Sequence, residues 1–410
     1  MIQIDRLCAE IDTLAGFSSH PAPAVTRVLF SEEDRAARSW LKGVFAAAEL
    51  QVREDAVGNV FARWEGSDPT LVPFATGSHI DAIPNAGKFD GVIGVLGAVE
   101  AVRALQARGF KPRRSLDIIM FTAEEPTRFG LGCLGSRLMG GALNPEVADG
   151  LQDSNGSTLR ELRQQSGFSG DLSSVRLGTD DYVGFLELHI EQGPILERDG
   201  LAIGAVEKIA APAAFRVKLV GEGGHAGAVL MPDRHDAGLA AAEIALAVER
   251  AVLATGSPDT VGTTGVFKIE PGAINSVPCR ATLDIDLRDT DLEARNEAEA
   301  AFRDAASAIS ARRGVHIDWE TINSDPPAIC SPTLVNAIEA ASRARGFSCR
   351  RMISRAYHDS LFMARVCPTA MLFVPCRNGW SHRPDEYVSP IDLERGVSIL
   401  ADVIEGQLGG

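Results

Sequence analysis

Leu116-Asp-Ile-Ile-Met-Phe-Thr-Ala-Glu-Glu125 is a short apolar run that stops at two adjacent carboxylates, and its reading decides the fold. A run of this length built from Leu, Ile, Met and Phe reads as a buried strand. Two neighbouring carboxylates at its end are costly unless one binds a cation and the other works as a base. Upstream, positions 92–107 carry Val92, Val95, Leu96, Val99, Val102 and Leu105 at helical spacing. Before them, residues 72–78 form a second apolar run that ends at His79. Phe185-Leu-Glu-Leu-His-Ile-Glu191 and Thr369-Ala-Met-Leu-Phe-Val-Pro375 repeat the strand pattern. Strands alternating with helices predict an α/β fold with a doubly wound, mostly parallel sheet. Ligands of such sheets sit beyond the carboxyl ends of the strands.

The stretch 212–326 has a different rhythm. Phe215, Val217 and Leu219 alternate with polar residues, as do Ala281, Leu283, Ile285 and Leu287. Period-two alternation suits a sheet with one face in water and helices on the other. Helical patterns fill 237–253 and 291–313. The prediction is a smaller α+β domain, a sheet plus two helices, inserted at 212–326 into a catalytic domain made of 1–211 and 327–410. The Gly-, Ser- and Asp-rich segment 150–180 reads as an exposed excursion.

Composition excludes several classes. At 410 residues, 45% hydrophobic and 23% charged, the chain is ordinary globular protein of about two domains. The formal net charge of −15 and the lack of a Lys/Arg cluster exclude a nucleic-acid surface. No apolar stretch is long enough for a membrane span. Met1-Ile-Gln-Ile-Asp-Arg6 alternates apolar and polar residues and is not a signal peptide, so a cytoplasmic location is expected. Seven cysteines without a CxxC pair fit reduced thiols better than disulfides or a zinc knuckle.

The chemistry lies in five short pieces. His79 stands in an H-x-D arrangement, where Asp81 can support the second ring nitrogen of a metal-bound imidazole. Asp90 lies in Gly87-Lys-Phe-Asp-Gly91, between a loop and a helix start, where a carboxylate can bridge two cations. Glu124-Glu125 supply a ligand and a base. His189 is embedded in a strand, and His382 follows the last one. A lone histidine of this kind is more often structural than liganding. Five pieces, each at a strand end or adjoining loop, point together to a metal site. Imidazoles and carboxylates without thiolate suit Zn²⁺, Mn²⁺ or Co²⁺.

In this order, H-x-D, G-x-F-D-G, E-E, H-I-E-Q-G-P, G-G-H-A-G and S-H-x-P-x-E resemble the aminoacylase/carboxypeptidase-type metallohydrolases over nearly the whole chain. Within them the chain is similar to the carbamoyl-amino-acid and allantoate amidohydrolase branch, which the histidine at 189 favours. The resemblance implies two divalent metal ions per subunit, Mn²⁺ in first place with Zn²⁺, Co²⁺ or Ni²⁺ as alternatives. His79, Asp90 and His189 would hold one; Asp90, Glu125 and His382 would hold the other, with Asp90 bridging. Glu124 would be the catalytic base. It also implies a homodimer in which His225 reaches the neighbouring subunit's scissile carbonyl and stabilises the oxyanion.

Substrate contacts follow by position. Asn275 and Arg288 match residues that hold a substrate carboxylate, for which the planar guanidinium is well shaped. The plainer reading of Arg288 is an ion pair with Asp286 or Asp289. Gln192 is expected on the ureido or amide group. Ser354-Arg-Ala-Tyr-His-Asp-Ser-Leu-Phe-Met-Ala364 replaces the G-x-G-H-D-A pattern of most of the branch. Together with Glu124-Glu-Pro-Thr-Arg-Phe-Gly130, it resembles the ureidoglycolate amidohydrolases of purine catabolism. Tyr357 and His358 would then touch a small polar substrate, unless His358 only braces its loop. The implied reaction is hydrolysis of the ureido C–N bond of (S)-ureidoglycolate to glyoxylate, ammonia and CO₂. Its rivals are an N-carbamoyl-L-amino acid, allantoate or acyl-amino-acid hydrolase, an exopeptidase, and a non-catalytic binding protein on the same scaffold.

Overall fold

A computed structural model describes residues 1–409, which divide into two compact units. The first comprises Met1–Lys208, Ile329–Ser354 and the chain from His358 onward; the second comprises Ile209–Ala328 with Arg355–Tyr357.

The first unit is built on a nine-stranded sheet. Its middle holds, side by side, Thr369–Val374, Phe185–Ile190, Phe74–His79 and Leu116–Phe121, all parallel. Every residue of these four strands is buried, the continuous apolar pattern of strands covered on both faces. The helix Val92–Ala107 covers one face and is itself almost wholly buried, packing on Phe74–His79, on Phe185–Ile190 and on the helix Pro390–Leu408.

The sheet is mixed, and the expectation of a mostly parallel one is corrected at its flanks. Val60–Trp64 pairs antiparallel with Leu116–Phe121, Gln51–Glu54 antiparallel with Val60–Trp64, and Ile203–Ile209 antiparallel with Thr369–Val374. An apolar run reports burial, not direction, and only a short connection such as that between Glu54 and Val60 forces a hairpin. The segment 150–180 also departs from expectation. It carries the helix Leu159–Gln165, opened by a Thr158–Glu161 capping box, and sinks Leu159, Leu172 and Val175 into a core cluster with Phe121 and Phe185. Its anchors are too sparsely spaced to show as a period.

The second unit is a four-stranded antiparallel sheet in the order Val261–Glu270, Arg280–Asp289, Ala211–Val220, His316–Ser324. Phe215, Val217 and Leu219 share a buried core with Ala281, Leu283, Ile285 and Leu287 and with the helices Ala237–Ala254 and Leu292–Arg313. A two-stranded ladder, Gly224–His225 with Ser276–Val277, stands apart from this sheet. No described helix is long and apolar enough to cross a membrane.

Candidate metal centre

Parallel register brings the first ligands together. His79 is the last residue of its strand, and His189 lies one residue before the end of the neighbouring strand, so both imidazoles emerge at the same sheet edge. Glu124 and Glu125 follow the strand Leu116–Phe121 through Ala123, which is forced to a φ of 52°. His382, also at positive φ (59°), lies in the loop after Thr369–Val374.

Asp90 is the hub. Its Oδ1 lies 3.1 Å from His189 Nε2 and 3.6 Å from His79 Nε2, while its Oδ2 lies 3.3 Å from His382 Nε2. His382 Nε2 is also 3.1 Å from Glu125 Oε1, and Glu124 Oε2 is 3.7 Å from His79 Nε2. Two triads result, His79–Asp90–His189 and Asp90–Glu125–His382, each with its donor atoms within 4.8 Å of one another. Gly91, at φ +67°, makes the close approach feasible: a Cβ there would stand 2.4 Å from His79 Nε2.

Supporting groups orient these donors. His79 Nδ1 faces the main-chain carbonyl of Asp81 at 3.1 Å, so Asp81 supports the imidazole chiefly through its backbone. The Asp81 carboxylate instead accepts from the N–H groups of Glu124 and Glu125, fixing the pair. His189 Nδ1 meets the carbonyl of Ile190 at 2.9 Å. Gln192 Nε2 donates to Asp90 Oδ2 at 2.7 Å, and its buried Oε1 has no partner among the described residues.

Charge is badly out of balance without a cation. Burial pushes Glu124 well above the carboxylate range, although His79 opposes it, and repulsion from Glu125, Asp359 and Asp90 adds to the rise. Glu125 is raised for the same primary reason. Burial also opposes ionisation of Asp90, yet hydrogen bonds from His189, His382 and His79 outweigh it and hold Asp90 well below its usual range. Hydrogen bonds to Asp90 and Glu125 raise His382 to about 11. The protons drawn onto these imidazoles stand where positive charge is wanted. Divalent cations would supply it, and the imidazole–carboxylate donor set fits them.

Other expected contacts are placed as follows. His358 is buried, with Nε2 2.9 Å from Ser354 Oγ and its ring edge-to-face on His189 at 4.5 Å. It therefore packs against a candidate ligand. His225, Asn275, Arg288 and Tyr357 belong to the second unit. There the ladder sets His225 opposite Ser276, and Ala226 N donates to the Asn275 carbonyl. Arg288 is joined to Asp286 by two hydrogen bonds of 2.7 and 3.0 Å, and its guanidinium lies 5.5 Å from the centre of the Tyr357 ring.

Three neighbours escaped the sequence reading. Glu187 lies two residues before His189, hence on the same strand face, a period-two signal that was available. Its carboxylate is held by Ser78 and Ser360. It forms a third triad with His189 and His358. Glu386, the last letter of S-H-x-P-x-E, accepts from the N–H groups of Phe89 and Asp90. Cys133, in the turn that follows, places its thiol 3.6 Å from Glu124 Oε1.

Residues 75–406 match the model of the peptidase family M20/M25/M40, and the chain belongs to that family. It is a metallohydrolase of this class. It is 52% identical over 407 residues to a ureidoglycolate hydrolase of Oryza sativa subsp. japonica, covering 98% of this chain and 84% of that protein. It is 37% identical over 406 residues to an N-carbamoyl-L-amino-acid amidohydrolase of Paenarthrobacter aurescens, covering 98% of each. The crystal structure of AtUAH in complex with (S)-hydroxyglycine superposes with a TM-score of 0.93 at 50% identity, covering 99% of this chain and 98% of that one. A second AtUAH structure, with glyoxylate, superposes equally well.

Proposed function

We propose that this chain is a binuclear metal-dependent amidohydrolase that cleaves the ureido C–N bond of (S)-ureidoglycolate. The observation that carries the reading is the sharing of Asp90 between two histidine–carboxylate triads, with Glu124 beside them. The ligands of the similar AtUAH structures support the choice of substrate. Water added across the ureido C–N bond leaves carbamate and (S)-hydroxyglycine; carbamate breaks down to CO₂ and ammonia, and hydroxyglycine loses ammonia to give glyoxylate.

Two divalent ions, held by His79, Asp90 and His189 and by Asp90, Glu125 and His382, would polarise the ureido carbonyl and make a bound water acidic. Glu124, beside the donor atoms, is placed to hold the proton released by the attacking water and to deliver it to the departing nitrogen. Gln192, already anchored to Asp90 through its amide N–H, offers the unpaired Oε1 to a ureido N–H. Asn275 and Arg288 anchor the substrate carboxylate, with Arg288 exchanging part of its pairing to Asp286 for the ligand. Tyr357, beside Arg288, limits the pocket to a small polar substrate, and His358 acts by seating His189. The inserted domain 212–326 serves as lid and dimerisation module, and His225 completes the neighbouring subunit's site as oxyanion donor.

A panel of metal-reconstituted enzyme against ureidoglycolate, allantoate, N-carbamoyl-amino acids and dipeptides tests the reading. Ureidoglycolate is expected to give the highest kcat/KM; turnover of carbamoyl-amino acids alone would overturn it. Glu124→Gln should lower kcat by roughly 10²–10⁴-fold with metal content unchanged, as for removal of a general base.

A further inference from the structure

A second concave site lies in the first unit, apart from the five candidate ligands. It is a cavity of about 770 Å³ between the end of the helix Ile4–Ala15, the segment 20–25 and the loop that follows Thr369–Val374. That volume is in the range of small-molecule pockets. Its walls are mostly apolar, with Pro21, Ala24, Val25 and Pro384 among them.

Among the lysine and arginine side chains around it, the exposed Arg377 is the one without an ion pair. Lys88 is paired with Asp12. Asp385 is gripped by Arg383 through two hydrogen bonds of 2.8 and 2.9 Å. The Glu386 carboxylate is occupied by the N–H groups of Phe89 and Asp90 and by Ser381. Arg377 donates to the main-chain carbonyl of Asp385 and lies over the face of Tyr387, whose centre is 5.1 Å away, and its charge also reaches the Asp385 carboxylate that Arg383 holds. No carboxylate pairs with it among the described residues. On a chain of net charge −15, an unpaired guanidinium at the rim of an apolar cavity is a specific invitation to an anion.

We propose that this cavity is a ligand site for an amphipathic monocarboxylate, with the apolar body against Pro21, Ala24 and Pro384 and the carboxylate on Arg377. The site is wired to the metal centre. Glu386 forms part of the cavity wall and holds the backbone of Asp90, and Arg377 and His382 share one loop. An occupant therefore bears on the residue that both metal triads share. The proposal does not depend on which amide the enzyme cleaves.

Isothermal titration of the metal-loaded full chain with hydrocinnamate tests it, with hydrocinnamyl alcohol as the neutral control. Saturable binding of one hydrocinnamate per chain is expected, weakened at least about tenfold by Arg377→Gln, the loss of one charge-assisted pair. Ala24→Phe, at a half-buried position in the cavity wall, should abolish binding. Arg288→Ala should leave binding unchanged. Absence of saturable binding would overturn the proposal, as would affinity unchanged in both the Arg377 and Ala24 variants. Equal affinity for the neutral alcohol would remove Arg377 from it.

Discussion

The imidazoles of His189 and His358 meet edge to face, their centroids 4.5 Å apart, with His358 tied to Ser354 on its far side. A residue that seats a metal ligand has a different signature from one that touches substrate. His358→Ala is expected to weaken metal binding by roughly 10–100-fold, as loss of an outer-shell partner does. Metal titration and KM at saturating metal separate the two roles: a substrate contact would raise KM with metal affinity unchanged.

Gly91 leaves no room for a side chain. Its φ of +67° and the 2.4 Å gap between a built Cβ and His79 Nε2 mean that Gly91→Ala must displace the imidazole or the helix start. The expected cost is about 1–3 kcal/mol of stability, with loss of metal-dependent stabilisation in thermal melts. An alanine variant with unchanged melting and metal content would contradict the geometry.

Chelation should destabilise the folded chain. Buried Asp90, Glu124 and Glu125 lie close together, and bound cations offset their repulsion. Stripping the ions should lower Tm, and adding Mn²⁺ or Zn²⁺ should restore it; a ligand at a hundredfold excess over Kd contributes about 2.7 kcal/mol. A Tm indifferent to chelator and metal would remove these triads as ion sites.

Burial pushes the thiols of Cys330 and Cys367 up to about 12 from the usual 9.0. The thiolate is the reactive form. Iodoacetamide at about pH 8 should therefore label the half-exposed Cys279 well before either of them in the folded protein. The sign for stability follows. Below 9.0 both states keep these protons, and between 9.0 and about 12 the unfolded chain releases protons that the folded chain retains. Stability is thus fully present below that window and falls as pH rises through it. Mass spectrometry of labelled peptides checks the first expectation, and denaturant melts across the window check the second.

The sequence located the candidate centre better than it described the sheet. His79, Asp90, Glu125, His189 and His382 each stand at a strand end or in an adjoining loop, and strand ends are visible as the limits of apolar runs. Glu187 was within reach, because alternation puts it on the face of His189. Cys133 was not, since its approach to Glu124 comes from a turn and leaves no periodic trace. The antiparallel flanks were also hidden: Thr369–Val374 reads as a strand, but no local feature says which way its neighbour Ile203–Ile209 runs, and Val60–Trp64 is not singled out by its pattern.

By itself the sequence determined the alternation of buried strands and helices and the donor types at their ends, because hydrophobic period and residue chemistry are local properties. Only the tertiary structure decided that Asp90 stands between His189 and His382. It also decided that Gln192 keeps one oxygen unpaired and that the ring of His358 packs against that of His189. Those relations depend on strand register and loop path, which set distances between residues far apart in the chain. The adjacent Glu124-Glu125 pair that ends the Leu116 run gains its sense the same way. Asp81, from another strand end, fixes its backbone, and the distances around Asp90 set Glu125 among the candidate ligands, with Glu124 beside them.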